Sequence, residues 1–276
     1  MLAGKRIAVV MPAYNEARLI GTALDAVPAF VDHIIVVDDG SVDETGNIAR
    51  ASVRPVEVVE HAVNQGVGAA ITTGCARALT LGADLTAVMA GDAQMDPLDL
   101  PTLLAPLIVD QADYVKGNRL AWHDAREVMP AHRWLGNHVL SFLTRLAVGV
   151  NVGDSQCGYV AMNRATLRLL PQAQLWDSYG YPNDWLSWMV ESDLRICEVP
   201  VRPIYGKERS GITLRHAMWT IPFVIGRARV RRHLGRDGVD VVAGSDELRH
   251  EAGSLVRTSK VIPVDLELLG AGDRRG

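Results

Sequence analysis

The sequence predicts an α/β fold built on a mostly parallel central sheet. Short apolar runs rich in β-branched residues alternate with segments of helical spacing through the first half of the chain. The runs are continuously apolar, as befits strands covered on both faces. Polar segments of unusual composition follow each run, and in an open parallel sheet those positions line the crevice beyond the carboxyl ends of the strands.

The elements follow in order. Residues 7–11 read as a first strand ending at Pro12, and residues 16–30 as a helix with Leu19, Ile20, Ala23, Leu24 and Val27 on one face. Residues 34–37 read as a second strand, followed by a turn at residues 38–41. Ser41 or Asp43 is suited to cap a helix running to about Ala51. Residues 56–59 and 85–89 read as further strands around a helix at 67–81. A helix at 98–109, interrupted by Pro101 and Pro106, leads to a strand at 113–117. Beyond Arg119 the rhythm changes. Helices are expected at 134–148, 184–190 and 213–234, the last bent near Pro222, with extended chain at 158–162 and 194–204. From 235 onward no clear period survives, and a loosely attached tail is expected, with one short strand at 261–266.

Composition excludes several classes. With 276 residues the chain can bury a full core. A net charge of −4 argues against a nucleic-acid partner. Cys75, Cys157 and Cys197 are far apart and odd in number, so neither a disulfide framework nor a zinc site is expected, and a reducing compartment fits. The histidines have no metal-ligand spacing. Residues 1–6 lack the apolar core of a signal peptide, and the strongly apolar stretch 218–226 falls short of the roughly 20 residues that cross a bilayer. The expectation is a cytoplasmic protein, at the inner face of the membrane where it meets lipid.

The polar segments carry the chemistry. Asp38 and Asp39 follow a buried strand and can accept from the N–H groups of a base or from a ribose, while Tyr14 can stack and Glu16 can accept. The same Asp39-Gly40-Ser41 run would equally serve as a tight turn. Asn64 to Gly68 opens a helix with glycines that let amides approach a ligand, or that merely start the helix. Asp92, Gln94 and Asp96 alternate and offer oxygen ligands to a hard cation such as Mg²⁺ or Mn²⁺. Asp96 before Pro97 also suits a helix cap, leaving Asp92 as principal ligand with Gln94 beside it. The first strand ends in Pro12 to Glu16, where a dinucleotide-binding oxidoreductase would carry its glycine fingerprint.

In order, Pro12-Ala13-Tyr14-Asn15-Glu16, Val36 to Ser41, Asn64 to Gly68 and Gly91 to Pro97 resemble the family 2 inverting glycosyltransferases, most of all the dolichyl-phosphate mannose synthase branch. The resemblance implies a GT-A fold over 1–234, with a nucleotide-sugar half at about 1–119, an acceptor half at about 120–234 and a tail at 235–276. It implies a nucleoside-diphosphate sugar donor bound by Pro12, Ala13, Tyr14, Glu16, Asp38, Asp39, Asn64, Gly68, Asp92 and Ala93, with Lys207 and Arg209 on a loop that closes over the diphosphate. The family's metal motif reads Asp-x-Asp-x-Gln; here Ala90 stands at the first Asp, and Asp92 and Gln94 remain.

On the acceptor side the resemblance implies Arg119, Arg133, Gln156 and Asn183, and it makes Asp92, Arg119 and Asp184 the catalytic set. A polyprenyl phosphate acceptor is already ionised and needs cations rather than a base, and its glycosylated product would serve cell-envelope glycan synthesis. A sugar hydroxyl acceptor needs a base, for which Asp184 is placed. A third reading, prompted by Ala90, is a catalytically silent nucleotide-sugar-binding regulator. Residues 218–233, apolar and then arginine-rich, suit peripheral contact with anionic lipid or packing on the core.

Overall fold

A computed structural model describes residues 1–170, 175–178, 180–205 and, beyond them, 223, 224, 226, 227 and 230. Seven strands form one sheet. They are β1 (Ile7–Ala13), β2 (His33–Asp38), β3 (Val56–Glu60), β4 (Leu85–Val88), β5 (Tyr114–Asn118), β6 (Val160–Asn163) and β7 (Ile196–Pro200). The order across the sheet is β3-β2-β1-β4-β6-β5-β7. All pairings are parallel except those of β6, which runs antiparallel to both β4 and β5. A four-residue apolar strand reads the same in either direction, so only tertiary pairing reveals that reversal. Strands from both sides of Arg119 share the sheet.

Helices cover both faces, which is why the strands are apolar throughout. On one side Ile7, Val9 and Met11 of β1 pack with Ile20 and Leu24 of α1 (Ile20–Asp25) and with Leu100, Leu103 and Leu104 of α4 (Leu100–Ile108). On the other, Ala8 and Val10 meet Ala70, Ile71 and Cys75 of α3 (Val67–Thr80), and the same layer continues to Trp185 and Leu186. Period-two alternation along β1 thus feeds two separate apolar layers.

Several expected helices are trimmed by polar contacts. α1 begins only at Ile20, because residues 14–19 form a loop in which Asn15 takes φ 56° and the Glu16 carbonyl accepts from both Leu19 and Ile20. α2 (Thr45–Arg50) follows Glu44, and no side chain caps it. Ser41 Oγ accepts instead from the Asn15 amide, while Asp43, one residue before Glu44, accepts from the amide of Thr45 at the helix start and from that of Ala17. Asp96 does cap, accepting from Leu98 N at 2.9 Å at the head of a 3₁₀ turn before α4. α5 (Ala125–Val128) and α7 (Arg164–Leu169) add two short helices that the periodicity did not reveal.

α6 (Ala131–Val148) starts after Pro130 and ends at Gly149, whose φ of 76° and bond to the Arg145 carbonyl form a left-handed cap. α8 (Tyr181–Glu191) begins three residues before the expected start. Among the described residues, no helix is long and apolar enough to cross a membrane. The expected helix at 213–234 is described only at five positions. Lys207, Arg209, the tail at 235–276 and its strand at 261–266 lie outside the described residues.

Gly74 sits where α3 crosses the sheet. A Cβ there would lie 2.3 Å from Val10 Cγ1 and 3.1 Å from Val37 Cγ2. Gly74→Ala must push the helix off β1 and β2, and is expected to lower stability by about 1–3 kcal/mol. Urea unfolding measures this; an unchanged midpoint would contradict the close approach.

Candidate active site

The polar segments meet along one edge because β1 holds its neighbours. The Ala13 carbonyl accepts from Asp39 N at 2.9 Å, and the Pro12 carbonyl accepts from Gly91 N at 3.1 Å. The Asp38 carbonyl in turn accepts from His61 N at 2.9 Å. Side chains add to this: Thr45 Oγ1 accepts from Glu16 N, and Asn15 Oδ1 accepts from Val42 N. The tips of β3, β2, β1 and β4 are therefore one continuous rim, with the change of direction in strand order falling between β1 and β4.

At that crevice stand Glu16 and Asp92. Burial, then the charges of Asp92 and Asp43, push the Glu16 carboxyl up to about 7. Asp92 Oδ1 accepts from Gln94 N at 3.0 Å across Ala93, which takes φ 57°. The turn thus keeps the two expected metal ligands together. Gly91 lies under the turn, where a Cβ would approach Ile20 and Ala13 at 3.0 and 3.2 Å. Pro12 and Ala13 are buried in β1, and Tyr14 is half exposed at the rim.

Asp39 has a task in the protein that the sequence did not reveal. Its Oδ1 accepts from His61 Nδ1 at 2.7 Å and Gln65 N at 2.9 Å, and its Oδ2 from Gly66 N at 2.8 Å. The carboxylate folds residues 61–66 back over Gly40, where a Cβ would stand 2.7 Å from Asn64 N. Asp38 Oδ1 accepts from Ser41 N. The glycines at 66 and 68 answer to protein rather than to ligand: a Cβ at either would lie 2.3 Å from a carbonyl of Asp177 or Trp176. The Gly68 amide donates to the Asp177 carbonyl at 2.7 Å, and Asn64 stays exposed. The Gly68 amide is thus engaged by Asp177 and the Gly66 amide by Asp39.

The acceptor side is built on β5. Arg119 leaves its end and pairs in two-pronged fashion with Asp154, Nε to Oδ2 at 2.7 Å and Nη2 to Oδ1 at 3.0 Å. Asp154 is fully buried, whereas Arg119 keeps 24% of its side chain exposed. Burial pushes the Asp154 carboxyl up, but Arg119 and Lys116 more than offset this and hold it below its usual range. Arg133, on α6, lies over the ring of Tyr205 at 5.2 Å, and Tyr205 feels the charge of both Arg119 and Arg133. The two arginines therefore share one neighbourhood. Tyr181, nearly buried at the head of α8, feels the charges of both Asp92 and Arg119 and so links it to the donor rim.

Asn183 and Gln156 belong to a polar network inside this half. Asn183 Oδ1 accepts from Thr144 Oγ1 at 2.7 Å and Gln156 Nε2 at 3.1 Å. Ser141 and Ser155 complete it. Asp184 is fully buried; its Oδ2 accepts from Trp176 N at 2.9 Å and pairs with Arg227 Nη1 at 3.4 Å. It ties the 175–178 segment to α8. Asp154 opens the segment 154–159, which resembles the lining of the family's acceptor pocket; Tyr181 and Tyr205 join the site through tertiary packing.

The family model described as glycosyl transferase family 2 matches residues 8–170. UDP-N-acetylglucosamine–dolichyl-phosphate N-acetylglucosaminyltransferase of Methanococcus voltae is 33% identical over 220 residues, covering 74% of this chain and 88% of its own. Polyprenol monophosphomannose synthase of Mycolicibacterium smegmatis is 30% identical, covering 82% and 91%. Among solved structures, glucosyl-3-phosphoglycerate synthase from Mycobacterium tuberculosis in complex with Mn²⁺, uridine diphosphate and glucosyl-3-phosphoglycerate superposes with a TM-score of 0.58 at 25% identity, covering 88% of this chain and 83% of its own.

Glu16 supplies a test of the crowding at the rim. In the metal-free protein its carboxyl titrates near 7 when folded, against an ordinary value of 4.5. The folded state then binds the proton more tightly, so this group's contribution to stability falls as pH rises from about 4.5 through 7 and is fully lost above that. Glu16→Gln is expected to raise Tm relative to wild type more at pH 8 than at pH 5. Equal differences at the two pH values would show that the rim does not crowd this carboxyl.

Proposed function

From a chain that belongs to glycosyl transferase family 2, and is thus a glycosyltransferase of GT-A fold, we propose an inverting enzyme that moves a sugar from a nucleoside-diphosphate sugar to a polyprenyl phosphate. The observation that carries the acceptor is the meeting of Arg119 and Arg133 around Tyr205, within reach of Tyr181 and so of the donor rim. Two guanidinium groups suit a phosphate. Both curated relatives carry a lipid acceptor in their names. Asp184, the base a sugar hydroxyl would require, is instead bound to Trp176 N and Arg227, which favours the ionised acceptor.

The donor would lie across the tips of β1, β2 and β4, with Tyr14 against its base. Asp92 and Gln94 fit a divalent cation, Mg²⁺ or Mn²⁺. The turn holds them on either side of Ala93, and the Glu16 carboxyl, raised by burial first and then by Asp92 and Asp43, places a further acidic group beside them. Among the described residues no three acidic, His or Cys side chains form a ready cluster, so diphosphate oxygens would complete the shell. The ion would neutralise charge on the departing diphosphate. The protein's own part is to hold the acceptor phosphate on Arg119 and Arg133, aligned for displacement at the anomeric carbon.

A lipid acceptor calls for a membrane-facing side. Leu135, Val139, Phe142, Leu143 and Leu146 lie along one face of α6 and are each 39–59% exposed. The same helix carries Arg133 and no acidic residue. This face supports peripheral lipid contact, alongside the expected contribution of residues 218–233.

Transfer from a panel of nucleotide sugars to a short-chain polyprenyl phosphate tests the reading. Asp92→Asn or chelation should lower kcat by about 100-fold or more, while Asp184→Asn should lose stability yet keep transfer. Loss of transfer in Asp184→Asn at unchanged stability would favour the hydroxyl acceptor. Val139→Glu with Phe142→Glu should release the protein from phosphatidylglycerol vesicles; undiminished co-sedimentation would remove α6 from the membrane side.

A further inference from the structure

Lys116 and Glu198 lie side by side on parallel neighbours, since β5 and β7 pair Lys116 with Glu198 in register. Lys116 is fully buried, an expensive place for an ammonium group. Its Nζ donates to the Cys157 carbonyl, at the far end of the 153–157 loop. Glu198 takes the near end. Its Oε2 accepts from Gly153 N at 2.6 Å and its Oε1 from Asp154 N at 3.1 Å. One carboxylate thus clamps two consecutive amides, and one ammonium clamps a carbonyl three residues further on. Between them the loop presents Asp154, which receives the Nε and Nη2 edge of Arg119, the Arg119 amide and the Gln156 amide. A Cβ at Gly153 would meet Asn118 Nδ2 at 2.2 Å and Glu198 Oε2 at 3.2 Å, so the loop packs closely on both side chains.

We propose that Glu198 and Lys116 are positioning residues for the acceptor: they lock the 153–157 loop so that Asp154 holds Arg119 with its Nη1 edge turned to the acceptor phosphate. This rests on the reading that Arg119 binds that phosphate. The arrangement is more than a set of buried ion pairs, because every link points along one chain from β7 to the guanidinium. Burial pushes the Lys116 ammonium down and the Glu198 carboxyl up, the mark of charges kept out of water. Buried charges retained for geometry specify an arrangement even where an apolar core would be as stable. In Glu198→Gln the shape is kept, but one of the two amides must face an NH₂ donor instead of an acceptor, so the loop gives way at Asp154.

The experiment compares wild type, Glu198→Gln, Arg119→Ala and the double variant, using the nucleotide sugar that the panel selects and a short-chain polyprenyl phosphate. Glu198→Gln is expected to raise the acceptor KM about tenfold, with kcat within about threefold and donor binding by calorimetry unchanged. The double variant should be no worse than Arg119→Ala alone, as for residues acting through one another. If Arg119→Ala raises KM and Glu198→Gln does not, or if the two effects add, positioning through Arg119 is overturned while the phosphate reading stands. If Arg119→Ala leaves acceptor KM unchanged, the phosphate reading fails and the inference with it. Should Glu198→Gln melt far below wild type, Lys116→Met is read by the same criteria.

Discussion

The site depends on two carbonyl groups at the tip of β1. Pro12 and Ala13 are buried, and their oxygens accept from Gly91 on one side and Asp39 on the other. Through those bonds the chain after β4 and the chain after β2 are held to a single strand, and β3 follows through Asp38. Without that tie the acidic loops would be separate surface turns. With it, Glu16 and Asp92 share a crevice in which burial first, and then the neighbouring carboxylates, make Glu16 resist ionisation. The sheet's contribution to chemistry is thus spacing: parallel strands about 4.8 Å apart deliver groups from distant parts of the sequence into one cleft.

Much of this was legible beforehand because it follows from local rules. Apolar runs such as Ile34 to Val37 are strands since nothing else buries both faces, and the loops after them fall at one edge by the handedness of the crossovers. The ordered motifs predict Glu16 and Asp92 at that edge, and in the fold the two carboxyls lie close enough to feel one another. What stayed hidden was whatever depends on partners far apart in sequence. Asp39 reads as a ligand-binding carboxylate, and only the fold reveals that His61, Gln65 and Gly66 already use it. Asp184 reads as a base until Trp176 and Arg227 are found on its oxygen. The antiparallel course of β6 is invisible for the same reason, as its residues carry no direction.

The two halves treat charge differently. At the donor rim, the Glu16 carboxyl is partly buried and feels the charges of Asp92 and Asp43. Under the acceptor side, Lys116, Arg119, Asp154 and Glu198 form an internally balanced set, with Lys116 and Asp154 fully buried and Arg119 and Glu198 partly so. A balanced set is rigid, because moving any member leaves another unpaired in a medium of low dielectric. The acceptor half is thus braced from within, through bonds between its own residues.

Gly66 and Gly68 bear on more than their own loop. Their bare α-carbons lie against the carbonyls of Asp177 and Trp176, so the head of α3 and a segment more than a hundred residues later are in backbone contact. That seam leaves no room for a methyl group on either glycine unless the opposite strand of chain retreats. Substitutions there must come as matched pairs, and a family of such sequences would be expected to drift at the two places in concert.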